Sequence, residues 1–180
     1  MDPSKPSPDA IQRARHIQLV VLDVDGVLTD GRLYIDDNGV EQKAFPVRDG
    51  LGIRLLQGQG IEVGVISART SRAVQMRLES LDVAQLRLGA KRKGETLDEM
   101  AAAVGATLDQ CAFLGDDLVD LAAMRKVGLA AAVGDAHAVV REHAHFVCAT
   151  PGGRGAVREF AEFVLTAQGK LEAAYAPYLA

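Results

Sequence analysis

The stretch IQLVVLDVDGVLTDG, residues 17–31, decides the fold of this chain. It begins with an apolar run of strand length, and Asp23 and Asp25 follow at the point where the strand should end. Residues two apart in extended chain point to the same side, so both carboxylates can share one pocket. Gly26 then allows a sharp turn of the backbone. The stretch therefore predicts a buried strand that delivers two carboxylates to a site at its carboxyl end.

The rest of the chain repeats this pattern, with segments of helical periodicity between apolar runs of strand length. Strands that are apolar on both faces and separated by helices predict a parallel sheet covered on both sides, a doubly wound, Rossmann-like α/β fold. The predicted strands are residues 17–23, 61–67, 85–88, 111–115, 128–133 and 145–148. The predicted helices are residues 49–59, 70–81, 94–104, 117–127, 136–143 and 153–167.

Length and composition predict one cytoplasmic domain. The chain has 180 residues, of which 48% are hydrophobic, enough for one sizeable core. The formal net charge of −4, without a long lysine and arginine tract, argues against a nucleic-acid partner. No apolar stretch reaches the ~20 residues that span a bilayer, and the first residues lack the apolar core of a signal peptide, so we expect no membrane partner. Cys111 and Cys148 lie in apolar segments and are expected to be reduced and buried.

We divide the chain into three parts. Residues 1–16 form an N-terminal lead and a short helix, because three prolines fall within the first eight residues and predict disorder there. Residues 17–168 form the folded domain. Residues 169–180 form a C-terminal tail.

One segment interrupts the alternation of strands and helices. Residues 32–45 have two β-rich arms around Asp37-Asn38-Gly39, and Asn-Gly is a strong hairpin signal. A lone two-stranded hairpin is marginal in water, and its free edges invite pairing with another chain. We interpret this hairpin as an oligomer contact that also overhangs the active site, and a ribbon that only faces solvent is the alternative.

Polar side chains follow the first, second and fourth predicted strands, and a lysine lies near the third. In doubly wound sheets, ligands bind at the carboxyl ends of the strands, so these side chains are expected to meet there. Three or more converging carboxylates repel one another unless a cation compensates, and hard oxygen ligands favour Mg²⁺. The pattern predicts a magnesium site at this edge of the sheet. The residues concerned are Asp23, Asp25, Ser67, Lys93, Asp116 and Asp117.

Other interpretations of the acidic residues fit less well. A calcium loop of the EF-hand type that starts at Asp23 would need glycine at the position of Leu28 and glutamate at that of Tyr34. Asp116 and Asp117 can cap the following helix, and Asp117 is the better candidate. Capping alone does not explain Asp23.

The lysine and a possible zinc site also have alternatives. Lys91 could serve in place of Lys93, but Lys93 directly precedes a predicted helix and is favoured. His143, His145 and Cys148 could bind zinc, but a fourth ligand at a usual spacing is missing. We therefore expect no zinc site.

Several segments resemble known motifs. LDVDGVLTDG (22–31), Ser67, Lys93 and GDDLVD (115–120) are similar to the four motifs of the haloacid dehalogenase superfamily, in the expected order. The chain also resembles a narrower family over nearly its whole length. This family is the 3-deoxy-D-manno-octulosonate 8-phosphate phosphatases. The segments that carry this second resemblance are KAFPVRDGLGIRLL (43–56), VISART (65–70) and PGGRGAVREF (151–160). The resemblance implies a phosphatase without a separate cap domain that acts in lipopolysaccharide precursor synthesis.

The resemblance implies a role for each catalytic residue. Asp23 would be the nucleophile and would form an aspartyl-phosphate. Asp25 would protonate the leaving sugar oxygen and later take a proton from water. Ser67 and Lys93 would bind the phosphoryl oxygens that do not bridge to the sugar.

The resemblance also implies the magnesium ligands. These would be the carboxylate of Asp23, the main-chain carbonyl of Asp25 and Asp116. Asp120, one turn after Asp116, would orient the metal ligands or Lys93.

An anionic sugar acid needs cationic partners. Guanidinium groups suit carboxylates and phosphates, although a solvated surface role is the alternative for each arginine. Arg154 and Arg158 are further candidates near the site. The substrate-binding residues implied by the resemblance are Asp25, Val47, Arg48, Asp49, Gly50, Arg54, Arg69, Arg77 and Lys93.

The site is expected to be open within one chain, because the hairpin and one helix fill the sequence between Asp25 and Ala68 and leave no room for a cap domain. The resemblance implies a homotetramer in which hairpins pack together and a neighbour's tail, after Gln168, helps to close the site. Two other functions stay open. One is a phosphatase for a nine-carbon sugar acid 9-phosphate of the sialic or ketodeoxynonulosonic type. The other is a signalling receiver domain, although in that fold the acidic pair ends the first strand and the phosphoacceptor lies in mid-chain.

Overall fold

The apolar run before Asp23 forms a central strand of a parallel sheet. The computed structural model describes residues 6–179. The strands are β1 (Leu19–Leu22), β2 (Tyr34–Ile35), β3 (Glu41–Gln42), β4 (Glu62–Ser67), β5 (Gln85–Leu88), β6 (Cys111–Gly115), β7 (Leu129–Ala132) and β8 (Phe146–Val147). The helices are α1 (Pro8–Ala14), α2 (Val47–Gly58), α3 (Arg72–Glu79), α4 (Lys93–Val104), α5 (Leu121–Met124), α6 (Ala138–Glu142), α7 (Ala156–Ala167) and α8 (Leu171–Leu179).

Six strands form one sheet in the order β5-β4-β1-β6-β7-β8, and every neighbouring pair is parallel. Leu19 of β1 pairs with Glu62 on one side and with Cys111 on the other. The predicted doubly wound α/β fold is therefore confirmed. Because β4, β1 and β6 are neighbours, the residues that follow them meet at one edge of the sheet.

Helices cover both faces of this sheet. On one face, α2 packs against α7, and α1 and α8 also contact α7. On the other face, α4 and α5 contact each other and lie against β4 and β6. Gly64 in β4 permits this approach, because a Cβ atom there would lie 2.3 Å from the sulfur of Met100 in α4. The side chains of β1, β6 and β7 are buried on both faces, as a covered parallel sheet requires.

The predicted hairpin is present as the antiparallel pair β2 and β3. Asp36 closes its turn, since its carboxylate accepts hydrogen bonds from the N–H groups of Asn38 (2.9 Å) and Val40 (2.8 Å). Gly39 supplies the left-handed conformation, with φ of +77°. The hairpin projects from the sheet, and most of its residues are exposed.

The segment after β6 differs from the helix prediction. In place of a helix over residues 117–127, a 3₁₀ turn (Leu118–Asp120) leads into the short α5. The Asp120 carboxylate bonds back to the N–H groups of Asp116 and Asp117, which holds the chain in a tight turn before the helix begins. Asp117 caps that turn, as predicted, because its carboxylate accepts a hydrogen bond from the N–H of Leu118.

The residues expected to form a C-terminal tail contain α8. Leu171, Ala174 and Tyr175 follow helical spacing, and all three pack against the core. The predicted disordered lead falls mainly on residues 1–5, which lie outside the described part of the chain. Across residues 6–179, no helix combines the length and the apolar character that a membrane span requires.

Candidate active site

A cleft of about 290 Å³ lies at the carboxyl ends of β4, β1 and β6. All six of the residues predicted to converge at the strand ends line it. The lining residues used below are Asp23, Asp25, Ser67, Arg69, Lys93, Asp116 and Asp117.

Asp23 lies directly after β1, and its N–H still bonds to the carbonyl of Leu114 in β6 (3.1 Å). This bond extends the parallel pairing by one residue. It fixes the backbone from which the Asp23 side chain extends. Burial and the nearby charge of Asp120 together raise the pKa of Asp23 to about 6, although Lys93 works in the opposite direction. The pocket therefore disfavours the charged form of Asp23, mainly because it is buried.

Lys93 begins α4 and is 3% exposed. Its ammonium donates to Asp23 Oδ1 (2.7 Å) and to Asp120 Oδ1 (2.5 Å). Burial opposes the charged form, but the two carboxylates outweigh it, so the pKa of Lys93 is raised. Lys93 is therefore a permanent cation beside the proposed nucleophile.

Asp116 follows β6, and its carboxylate packs against Gly26. A Cβ atom on Gly26 would lie 2.0 Å from Asp116 Oδ2, so only glycine fits there. Burial raises the pKa of Asp116 to about 8, and the charges of Asp120, Asp23 and Asp117 contribute to the shift. Asp116 thus adds a half-buried carboxylate beside Asp23, and its negative charge needs a counter-ion.

Asp120 is fully buried below the cleft. Besides its bond to Lys93, its Oδ2 accepts from the N–H groups of Asp116 (2.9 Å) and Asp117 (3.3 Å). Gly115 makes room for it, because a Cβ atom there would lie 2.6 Å from Asp120 Oδ2. Asp120 therefore orients Lys93 and the turn that carries Asp116, in agreement with the role expected for it.

The donor set fits a magnesium ion. Asp23, Asp116 and Asp120 each place one carboxylate oxygen within 4.8 Å of the other two. Both oxygens of Asp120 already accept hydrogen bonds from the protein, whereas the carboxylate of Asp116 accepts none from residues 6–179. Asp23 and Asp116 are therefore the carboxylates better placed to bind a cation.

Ser67 ends β4 and is buried. Its Oγ accepts a hydrogen bond from the N–H of Arg69 (3.2 Å), which leaves the hydroxyl proton available to a ligand in the cleft. Arg69 lines the same cleft through its side chain. The turn after β4 therefore supplies a hydroxyl donor and a guanidinium to the site.

Asp25 lies at the rim of the cleft and contacts a residue to which the sequence analysis assigned no role in the site. Lys43, just after β3, donates a hydrogen bond to Asp25 Oδ1. Glu41 of the same hairpin binds Arg69, with 2.5 Å between Oε2 and Nη2. The hairpin therefore reaches the active-site cleft, as predicted.

Comparison with known proteins identifies the family. The chain is 44% identical over 166 residues to the 3-deoxy-D-manno-octulosonate 8-phosphate phosphatase KdsC of Yersinia pestis, covering 92% of this chain and 89% of that protein. This chain belongs to the 3-deoxy-D-manno-octulosonate 8-phosphate phosphatase family. Residues 86–160 also match the family model of the haloacid dehalogenase-like hydrolases. The resemblance noted in the sequence is therefore confirmed.

Solved structures of this phosphatase family share the fold. A probable YrbI family phosphatase from Pseudomonas syringae has a TM-score of 0.94 and 47% identity, over 97% of this chain and 99% of that one. The 3-deoxy-D-manno-octulosonate 8-phosphate phosphatase of Moraxella catarrhalis, solved with magnesium, phosphate and KDO, has a TM-score of 0.92 and 36% identity, over 94% of this chain and 98% of that one.

In this member of the phosphatase family, only some of the remaining predicted substrate residues lie close to the cleft. Arg48 and Arg154 line a neighbouring cleft of about 500 Å³ together with Asp30 and Tyr34. Val47, which directly precedes Arg48, is exposed and begins α2. This part of the predicted substrate site is thus adjacent to the catalytic residues.

Asp49 and Arg158 have structural contacts. Asp49 Oδ1 accepts a hydrogen bond from the N–H of Arg158 (2.9 Å), so α2 caps the first turn of α7. The Arg158 guanidinium binds Glu162 (2.5 Å) and lies over the ring of Tyr175. Neither side chain lines the catalytic cleft.

Arg54 and Arg77 also lie outside the cleft in the single chain. Arg54 donates to Asp82 (2.5 Å) and to the carbonyl of Ser80 (2.9 Å). The guanidinium of Arg77 lies against Gly50, where a Cβ atom would be 2.4 Å from Nη2. Gly50 therefore makes room for an arginine.

A loop near the end of the chain supports the catalytic loop. The N–H of Gly153 donates to the carbonyl of Val27 (2.9 Å), and the N–H of Gly152 donates to Asp135 (2.8 Å). A Cβ atom on Gly152 would lie 1.6 Å from the carbonyl oxygen of Gly26. The segment PGGRG thus packs directly against the turn that follows Asp23.

Proposed function

We propose that this chain is a magnesium-dependent phosphatase that converts 3-deoxy-D-manno-octulosonate 8-phosphate to 3-deoxy-D-manno-octulosonate and phosphate, in lipopolysaccharide precursor synthesis. The observation that carries the proposal is the position of Asp23, which shares one cleft with Lys93, Ser67 and Asp116. Relatives that bear this phosphatase name cover nearly the whole chain.

Asp23 is the nucleophile of the proposed reaction. Its carboxylate attacks phosphorus, the bond to the sugar oxygen breaks, and an aspartyl-phosphate forms. When bound by Asp23, Asp116 and the main-chain carbonyl of Asp25, Mg²⁺ would offset the repulsion between this carboxylate and the phosphate dianion. Lys93, 2.7 Å from Asp23, holds the nucleophile in place.

Asp25 is the acid and base of the proposed reaction. It gives its proton to the departing sugar oxygen and afterwards takes a proton from the water that cleaves the aspartyl-phosphate. Its place at the rim of the cleft is suited to this role, because the leaving group must face outward. Ser67 and Lys93 bind the phosphoryl oxygens that do not bridge to the sugar.

Arginine side chains around the two clefts recognise the sugar acid. Arg69 at the catalytic cleft and Arg48 and Arg154 at the neighbouring one can bind the carboxylate of the substrate, together with the backbone of residues 47–50. Arg54 and Arg77 would contribute through a neighbouring subunit or indirectly, because they lie outside the cleft of a single chain.

The proposed assembly is a homotetramer in the cytoplasm. Exposed apolar side chains on the hairpin, Leu33, Ile35 and Val40, support packing against other copies. Cys111 and Cys148 are buried and not joined by a disulfide, which suits a reducing compartment. Light scattering on the unsubstituted chain and on Ile35→Asp tests the assembly, and an unchanged mass for the variant would argue against hairpin packing.

The decisive experiment is phosphate release from a panel of sugar phosphates, with and without Mg²⁺. We expect the highest kcat/KM for the eight-carbon acid 8-phosphate and no release in the presence of a chelator. Asp23→Asn should abolish release while the variant keeps its circular dichroism spectrum. A higher kcat/KM for a nine-carbon acid 9-phosphate would replace the substrate assignment, and stable phosphorylation without turnover would favour the receiver function.

A further inference from the structure

The hairpin brings two charged residues into contact with the catalytic machinery. The ammonium of Lys43 donates to Asp25 Oδ1 and lies 3.1 Å from Glu41 Oε1. Its side chain is only 1% exposed. Glu41 and Lys43 are two residues apart in extended chain, so they point to the same face of the hairpin. That face is turned toward the cleft.

Four side chains form a closed ring of alternating charge. Lys43 bridges Asp25 and Glu41, and Glu41 in turn binds Arg69. Arg69 closes the ring, with its Nε 3.9 Å from Asp25 Oδ2. Two carboxylates and two cations leave the ring without net charge, in contrast to the acidic cluster around Asp116. The ring ties the hairpin to the loops that follow β1 and β4.

Within this ring, the two oxygens of Asp25 have different surroundings. Oδ1 is held by Lys43, whereas Oδ2 takes part in no hydrogen bond with any residue from 6 to 179. An aspartate side chain anchored at one oxygen cannot rotate freely, so the second oxygen keeps a fixed direction. Burying an ammonium is costly unless it is paired, and Lys43 is paired with both Glu41 and Asp25.

We propose that Lys43, held in place by Glu41, is a positioning residue that fixes the carboxyl group of Asp25 for proton transfer to the leaving oxygen. This inference rests on the proposed function, in which the proton on Asp25 moves to the sugar oxygen as the bond between that oxygen and phosphorus breaks. Lys43 itself gains and loses no proton. Its effect is geometric, and it acts only through Asp25.

The choice of leaving group separates this role from a structural one. A sugar alkoxide is a poor leaving group and needs a proton as it departs, whereas p-nitrophenolate departs without one. Attack by Asp23 is the same for both esters. A defect confined to Asp25 therefore lowers kcat/KM for the sugar ester and largely spares p-nitrophenyl phosphate.

The test compares Lys43→Met with Lys170→Met at saturating Mg²⁺. Lys170 bonds to the carbonyl of Gln59 at the opposite end of the sheet and is a matched control. Lys43→Met should lower kcat/KM for the sugar acid phosphate by about ten- to hundredfold, since general acid catalysis contributes about 10²–10⁴-fold in total. For p-nitrophenyl phosphate the fall should stay within about threefold. Asp25→Asn should show the same selectivity, and Lys43→Arg should restore part of the loss.

Equal losses on the two esters, or no loss in a variant with an unchanged Tm, would overturn the proposal. If Lys43→Met does not fold, Glu41→Gln provides the same comparison, because it weakens the hold on Lys43. If the unsubstituted chain fails to hydrolyse the eight-carbon ester, the proposed substrate is wrong. The same comparison then uses the nine-carbon ester, which also has an alkoxide leaving group.

A double-mutant cycle provides an independent readout. If Lys43 acts only through Asp25, Lys43→Met should add little to the loss already caused by Asp25→Asn. Multiplicative losses in the double variant would mean that Lys43 acts by another route, and the proposal would fail.

Discussion

The Nζ atom of Lys93 lies 2.7 Å from Oδ1 of Asp23, and the same ammonium binds the buried Asp120. Lys93 is therefore the only cation within hydrogen-bond distance of these two carboxylates in the described part of the chain. Without it, two buried negative charges would face each other beside Asp116. We therefore expect the lysine to serve folding as well as the proposed catalysis.

Lys93→Met is expected to lower both activity and stability. Loss of the cation should reduce kcat by about 10²-fold or more. Removing one partner of a buried ion pair leaves an uncompensated charge, so the free energy of unfolding in EDTA should fall by about 3–5 kcal/mol. Urea denaturation and phosphate-release assays check this, with Lys170→Met as the control. A variant as stable as the unsubstituted chain would show that the ion pairs contribute no net stability.

Gly26→Ala should abolish activity at a small cost in stability. Its φ of +94° and the 2.0 Å approach to Asp116 leave no room for a Cβ atom. Gly39→Ala is a matched control, because Gly39 has a similar φ but nothing within 4 Å of its Cβ position. The free energy of unfolding of both variants should fall by about 1–2 kcal/mol, because alanine is strained in the left-handed backbone conformation. Only Gly26→Ala should lose at least about 100-fold in kcat/KM, through displacement of Asp116. Equal activity in the two variants would argue against a role for this contact.

Asp116→Asn should change the response of the protein to Mg²⁺. In EDTA the variant should be more stable by about 1 kcal/mol, or roughly 2–4 °C in Tm, because the amide avoids the unfavourable ionisation of a carboxyl group beside Asp23 and Asp120. Saturating Mg²⁺ should raise the Tm of the unsubstituted chain by more than that of the variant. Differential scanning fluorimetry with and without Mg²⁺ measures both effects. Asp37→Asn, at the exposed tip of the hairpin, should behave like the unsubstituted chain, and an equal Mg²⁺ response in Asp116→Asn would exclude Asp116 as a ligand.

His145 should make stability depend on pH. Its Nδ1 accepts a hydrogen bond from the N–H of Ala130 (2.9 Å). Burial lowers the pKa of His145, the charge of Arg13 lowers it further, and Asp9 opposes the shift. The unfolded chain therefore takes up the proton first, and the stability contributed by neutral His145 is lost as pH falls below about 6.5 toward the lowered pKa.

The measurement for His145 is the difference in Tm between neutral and mildly acidic pH. His145→Asn keeps an acceptor for the N–H of Ala130 but cannot be protonated, so its Tm should fall less on acidification than that of the unsubstituted chain. Identical pH dependence in the two proteins would show that His145 does not contribute.

Most of the catalytic cleft could be predicted because its residues follow parallel strands. Asp23, Ser67 and Asp116 lie at the ends of three neighbouring strands, so the general rule for doubly wound sheets brings them together. Lys93 was recognisable because it precedes a helix on the same edge. These positions depend on local pattern and on strand order, both of which the sequence contains.

Lys43 could not be predicted in this way. Its contact with Asp25 depends on the direction in which the hairpin leaves the sheet, and no local pattern determines that direction. The sequence predicted that the hairpin overhangs the site, but it did not show that Glu41 and Lys43 would be the residues that meet Arg69 and Asp25. Asp49 is a similar case, because its bond to Arg158 joins α2 to a helix that begins far along the chain.

The support of the catalytic loop by Gly152 and Gly153 has a consequence for biosynthesis. The ribosome makes the turn after Asp23 well before the segment that packs against it, because the two lie far apart in the sequence. A nascent chain therefore carries the proposed nucleophile on an unsupported turn until the segment PGGRG has left the exit tunnel.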